Sequence, residues 1–141
     1  DKVMDINLNS NVKLTRKILR GMIKRRYGRI VFISSIIGYL GNAGQSNYAS
    51  SKAALSGFAK SIAYEVASRG ITSNLIAPGY IQTPMTEKLS DQQKQLILEK
   101  IPISRLGEPK DIASCCVYLS SEEASFVTGS TFHVNGGMGM F

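Results

Sequence analysis

Tyr48 and Lys52 stand four residues apart in the run Asn47-Tyr48-Ala49-Ser50-Ser51-Lys52. On a helix that spacing puts both side chains on one face, about one turn apart. An ammonium is thereby brought close to a phenol. A phenol titrates near pH ~10 and exchanges protons poorly at neutrality, while a neighbouring cation favours its ionised form. The pair reads as an acid/base device if a hydroxyl donor and a substrate pocket lie beside it. Taken alone, the same spacing describes a helix start with a solvated lysine. Ser35 lies 13 residues before Tyr48, with Ser34 next to it, and can supply the hydroxyl.

The elements that must position these groups follow from hydrophobic periodicity. From Leu8 to Arg26, residues Leu8, Val12, Leu14, Ile18, Leu19, Met22 and Ile23 occupy one half of a helical wheel, with Lys13, Arg16, Lys17, Arg20 and Lys24 opposite. Tyr27-Gly28 closes that helix, glycine suiting a left-handed cap. Arg29 to Ser35 is a short, nearly continuous apolar run, read as a strand buried on both faces. A loop dotted with Gly38, Gly41 and Gly44 leads to a long helix from Ser46 to Ser68, closed by Arg69-Gly70. Its many small residues suit a buried helix or an oligomer interface. Ile71 to Ala77 reads as a second buried strand, stopped by Pro78-Gly79. The stretch from Tyr80 to Pro102, with a short helix from Asp91 to Lys100, is a candidate lid. A helix from Pro109 to Leu119 and a strand from Ser130 to Val134 complete the order. Alternating helices and buried strands predict an α/β parallel sheet. Such sheets bind ligands beyond the carboxyl ends of their strands, where Ser35, Tyr48 and Pro78-Gly79 are expected to converge.

Composition narrows the function classes. The chain has 141 residues, 43% of them hydrophobic, and a mean hydropathy of −0.02, as expected of one globular unit. No apolar run approaches the ~20 residues of a membrane span, and no signal-peptide pattern opens the sequence. Cys115 and Cys116 are adjacent and are expected to be buried thiols in a reducing compartment. A single histidine, His133, argues against a zinc site and leaves any Ser-His-Asp triad dependent on a strand residue. The formal net charge is +7, and eight of the 17 basic residues lie between Lys13 and Arg29 with no acid among them. That band is either a solvated helix face or a docking surface for an acidic partner. Nucleic acid is not expected to be that partner, because no aromatic platform or nucleic-acid motif accompanies the charge. Residue 1 is Asp and the opening looks like the inside of an element, so a longer parent chain is expected.

Five stretches together resemble the short-chain dehydrogenase/reductase family. They are Ile6-Asn7-Leu8, Gly28 to Ser35, Tyr48 to Ala53, Asn74 to Thr83, and Val134-Asn135-Gly136-Gly137. Their order and spacing match across essentially the whole chain. Within the family, Gly41 to Tyr48 and Val66 to Thr72 look most like bacterial-type 3-oxoacyl-acyl-carrier-protein reductases of fatty acid synthesis. The resemblance implies that Tyr48 gives a proton to the substrate carbonyl. Lys52 favours the phenolate and bonds the nicotinamide ribose, and Ser35 polarises the carbonyl oxygen. Asn7 matches a position that helps hold a proton-relay water. Gln45, with Ser35 and Tyr48, would contact substrate, and Pro78, Gly79, Ile81 and Thr83 would position the nicotinamide of NADP(H). Arg26 and Arg69 match positions that meet the acidic carrier protein at the mouth of the site. Ser34 matches no catalytic position and is read as structural. A cytoplasmic homotetramer, or one in an organelle matrix of bacterial descent, is implied by the same analogy.

One departure limits these expectations. The glycine-rich loop that cradles a pyrophosphate is absent, as is any residue that would choose NAD or NADP. Residues 1–141 are therefore expected to be the C-terminal part of a single Rossmann-like doubly wound domain, inactive alone, with the first strand left as an unprotected apolar edge. Two other readings stand beside the reductase. The parent protein acts on another ketone or alcohol, or the chain is an inactive fragment serving as a subunit or binding module.

Overall fold

Three parallel strands in the order β1-β2-β3 form the centre of the computed structural model, which describes residues 1–141. Strand β1 (Gly28–Ile33) pairs with β2 (Ile71–Pro78), Gly28 opposite Ile71 and Ile33 opposite Ile76. Strand β3 (Thr131–Val134) joins the other side of β2, Leu75 opposite Thr131 and Pro78 opposite Val134. Parallel pairing needs crossover connections, and helices supply them. Helices α2 (Ser10–Arg25) and α4 (Ser46–Val66) cover one face of the sheet. There Ile30, Phe32, Ile71 and Leu75 meet Leu55, Ala59, Ile62 and Val66 in one buried cluster. The opposite face carries α7 (Pro109–Ser120), just past which the Ser121 carbonyl accepts from Arg29 Nε at 2.9 Å. The fold is α/β with helices on both faces of a parallel sheet, a partial Rossmann-like arrangement as the sequence predicts. No helix is long and apolar enough to cross a membrane.

Several local expectations are corrected. The first helix starts upstream of Leu8, because the Asp1 carboxylate accepts from Val3 N at 3.0 Å and caps α1 (Lys2–Met4). A π turn, Asp5–Asn9, then carries the rod into α2. Its closing left-handed residue is Arg26 (φ 54°), not Gly28. Gly28 instead opens β1, where a Cβ would meet Met22 Sδ at 2.5 Å. Strand β1 is buried on alternate residues only, those facing α2 and α4, and Ile33 on the other face is 44% exposed. The first seven residues of β2 are buried as expected. The glycine-dotted loop after β1 contains a short helix, α3 (Ile37–Leu40). Cys115 and Cys116 are half-buried free thiols rather than core residues.

Candidate active site

The carboxyl ends of the strands form one continuous edge. Past the β1–β2 ladder, Ser34 N donates to Ile76 O at 2.8 Å and Ile36 N to Pro78 O at 2.9 Å. Gly79 N donates to Val134 O at 2.9 Å, which ties the end of β2 to β3. Glycine is required by that approach, since a Cβ on Gly79 would lie 2.7 Å from Asn135 Cβ. The loop after β1 packs on α4 in the same way. A Cβ on Gly38 would lie 3.0 Å from Ala53 N, next to Lys52.

Ser35 is buried on this edge, and its Oγ accepts from Ile37 N at 3.2 Å. That bond uses a lone pair and leaves the hydroxyl proton free to be donated. The hydroxyl of Ser34 donates instead to Lys52 O at 3.0 Å, pinning the strand end to α4 as its structural reading requires. Lys52 Nζ donates to Ile33 O at 3.0 Å and lies 5.8 Å from the centroid of the Tyr48 ring. Burial pushes the Lys52 ammonium below the ordinary lysine pKa, because desolvation disfavours its charge. Two of its three N–H donors remain. Tyr48 is half-buried and bonded within the chain through its backbone, its N accepted by Asn47 Oδ1 at 2.8 Å. Asn7 lies in the π turn, and its Nδ2 donates to Ser51 Oγ at 3.1 Å, one residue before Lys52. Tyr48, Lys52 and, through Ser51, Asn7 thus come together at the start of α4, and Ser35 stands next to Ser34, whose hydroxyl donates to Lys52 O. Gln45 precedes that helix, its side-chain oxygen accepting from Asn42 Nδ2 at 2.6 Å.

Beyond β2 the chain forms the stem of the lid. Gln82 N donates to Gly107 O at 2.7 Å, and Gly107 N to Tyr80 O at 2.9 Å, so Ile81 is bridged to Gly107. A Cβ on Gly107 would stand 2.5 Å from Ile81 Cδ1. Asp111 Oδ2 accepts from Glu108 N at 2.8 Å and Arg105 Nη1 at 3.0 Å; the Arg105 hydrogen bond is the main cause holding its carboxyl below the ordinary range. Between stem and sheet lies a cavity of about 240 Å³, bordered by Ile81, Ile103, Arg105 and Asn135 among others. The lid itself carries α5 (Pro84–Glu87) and α6 (Asp91–Glu99), each opened by a reciprocal cap, Thr83 with Thr86 and Ser90 with Gln93. The hydroxyl of Thr83 is therefore engaged in capping α5.

A protein-family model described as Enoyl-(Acyl carrier protein) reductase matches residues 1–139. The chain belongs to the short-chain dehydrogenase/reductase family. It is 54% identical over 138 residues to the 3-oxoacyl-acyl-carrier-protein reductase FabG of Rickettsia conorii. It is 52% identical to the reductase of that name from Vibrio cholerae and 54% identical to that of Salmonella typhimurium. Each match covers 98% of this chain, and the chain spans 57% of the length of each relative. A nicotinamide cofactor goes with the family. The free donors of Lys52, beside the Tyr48 ring and the Pro78-Gly79 edge, fit the polar ribose end of such a group.

Arg26 and Arg69 are placed differently from the expectation for this short-chain dehydrogenase/reductase. They are brought together, since Arg26 Nη2 reaches Ser68 O at 3.4 Å and Arg26 O would lie 2.6 Å from a Cβ on Gly70. Both stand at the amino ends of β1 and β2, roughly 20 Å along the strand direction from Ser35. Within one chain they are not at the mouth of the site. The basic residues of α2 are exposed, and the two ion pairs present, Arg105–Asp111 and Lys110–Glu108, involve none of them. Sequence reasoning missed Ser51 and the Arg105–Asp111 stem. For Arg105 and Asp111, six residues apart across Pro109, a usable signal existed in the helix start. For Ser51 none did, because its partner Asn7 is 44 residues away.

Proposed function

We propose that the complete protein carrying this chain reduces 3-oxoacyl-acyl-carrier-protein to (3R)-3-hydroxyacyl-acyl-carrier-protein in fatty acid elongation, with NADPH as cofactor. The observation that carries this reading is the Tyr48–Lys52 turn of α4 held at the end of β1, next to Ser34-Ser35, in a chain 52–54% identical to reductases of that name. When bound, the cofactor supplies the hydride, and the remaining work belongs to the chain. Ser35 donates its free proton as a hydrogen bond to the substrate oxygen, which holds the carbonyl and favours the charge that develops there. Tyr48 delivers the proton that the oxygen keeps. Lys52 supports the phenolate left behind and holds the ribose, while Asn7 helps hold the water through which a proton returns. Gln45 lines the acyl side. Pro78, Gly79, Ile81 and Thr83 would hold the nicotinamide, with Ile81 bridged to Gly107.

The partner we propose is the acidic carrier protein, and the assembly a cytoplasmic homotetramer. Exposed Leu14, Ile18 and Tyr64 on α2 and α4 supply apolar surface for subunit contact. Arg26 and Arg69 then receive the carrier protein for the site of a neighbouring subunit, since their own site lies at the other end of the sheet.

The description of the matching family model favours a second reading, reduction of an enoyl thioester. The two differ in the bond reduced, and one assay separates them. The complete protein is expected to oxidise NADPH with an acetoacetyl thioester at least tenfold faster than with a 2-enoyl thioester. The reverse order would replace the proposed reaction with the second one.

A further inference from the structure

The hydroxyl of Ser51 is fully buried between the π turn and α4. It donates to Tyr48 O at 2.7 Å and accepts from Asn7 Nδ2 at 3.1 Å. The polarity of the second bond is fixed by the first. A backbone carbonyl can only accept, so the single hydroxyl proton of Ser51 points at Tyr48. What Ser51 offers Asn7 is a lone pair. The Asn7 amide must therefore present its NH2 group to Ser51 and turn its oxygen the other way.

The backbone at Asn7 is held as well. Its carbonyl accepts from Asn11 Nδ2 at 2.8 Å, and the Asn11 carbonyl accepts from Thr15 Oγ1 at 2.7 Å, with Thr15 itself 1% exposed. These bonds run along the inner side of the π turn Asp5–Asn9 and the first turns of α2. A π turn widens the helix and leaves its backbone less tightly determined, and such turns are found often at functional positions. Here a side-chain ladder from Thr15 to Asn7 restores the definition, and Ser51 connects it to the turn of α4 that bears Tyr48 and Lys52.

We propose that Ser51 is a positioning residue of this reductase: its buried hydroxyl orients the Asn7 amide and locks the π turn to the Tyr48–Lys52 turn. The proposal rests on the catalytic reading of Asn7, Tyr48 and Lys52. Its consequence is that the Asn7 oxygen is presented consistently as an acceptor beside α4. A serine retained only for packing has no such consequence.

The test uses the complete protein and three variants, Ser51→Ala, Asn7→Asp and the double. Ser51→Ala removes the acceptor, and kcat is expected to fall about tenfold with KM for both substrates within twofold. Asn7→Asp preserves size but cannot donate to Ser51, so it is expected to lose at least as much. Combining them should cost no more than Asn7→Asp alone, because both break one bond. Multiplication of the two losses, or a Ser51→Ala kcat within twofold of the parent, overturns the proposal. If Ser51→Ala does not fold, Asn7→Asp decides by itself, and retention of kcat within twofold overturns the idea. A substrate-free measurement separates this claim from the proposed reaction. Amide hydrogen exchange in residues 5–11 should rise about tenfold in Ser51→Ala. Unchanged exchange overturns the lock even in a protein that reduces no 3-oxoacyl thioester.

Discussion

Ser34 and Ser35 are adjacent and both buried, yet their hydroxyls do opposite things. One donates to the backbone of α4, and the other accepts from Ile37 N and keeps its proton for a ligand. The difference comes from what each hydroxyl meets just past the end of β1, a helix carbonyl for Ser34 and a backbone N–H for Ser35. His133 shows how burial acts on a single titratable group. Its ring packs edge-on against Tyr39 at 4.8 Å and tilted against Phe141 at 4.6 Å, and its buried Nδ1 has no partner. Burial pushes its pKa below the ordinary 6.5, because the charged ring would be desolvated. The unfolded chain then binds a proton near pH 6.5 that the folded chain still refuses. Stability is full above that pH and declines on acidification until the lowered pKa is passed. The melting temperature is expected to fall from pH 7 to pH 5, with a shallower fall in His133→Phe; equal slopes would exclude His133 as the source. At this scale the sequence was informative about Tyr48 and Lys52, whose four-residue spacing puts both on one face of α4. It was silent on Ser51, whose meaning depends on a partner from another helix.

Elements were legible where one periodicity dominated. The apolar stripe of α2, the small-residue length of α4 and the buried strand read at Ile71 to Ala77 all form as expected, β2 burying even Thr72, Ser73 and Asn74. Legibility failed where glycine has a packing reason. Gly28 was read as a helix cap but makes room for Met22, and Gly38 was read as loop but lets α3 sit against α4. The left-handed cap fell to Arg26 because the helix ends two residues earlier than glycine placement suggests. The same logic gives a prediction for the end of β2. A Cβ on Gly79 would stand 2.8 Å from Asn135 Cα and 2.7 Å from its Cβ, neither of which can swing away. Gly79→Ala is expected to destabilise the protein by about 1–3 kcal/mol, seen as a lower denaturant midpoint. An unchanged midpoint would mean that the β2–β3 edge is looser than the structure shows.

At the scale of the molecule, the chain places Tyr48 and Lys52 at one end of the sheet and Arg26 and Arg69 at the other. Strand β1 is an edge with an exposed Ile33, and α2 and α4 show Leu14, Ile18 and Tyr64 to the outside. Open edges and apolar faces of this kind call for covering surface. The parallel sheet was legible from alternating elements and the open edge of β1 from the absent glycine-rich loop, whereas the strand order was not, because it depends on pairing between segments far apart in sequence. The proposed reductase makes sense of both ends in an assembly, with the acid/base edge in one subunit and the cationic end serving another. Its central claim is that Tyr48 provides the proton that carbonyl reduction requires. Steady-state NADPH oxidation by the complete protein with an acetoacetyl thioester tests that directly. Replacing Tyr48 by Phe is expected to lower kcat by about 10²–10⁴-fold while the protein still binds NADPH. A Tyr48→Phe protein that turns over at the parent rate would contradict the account.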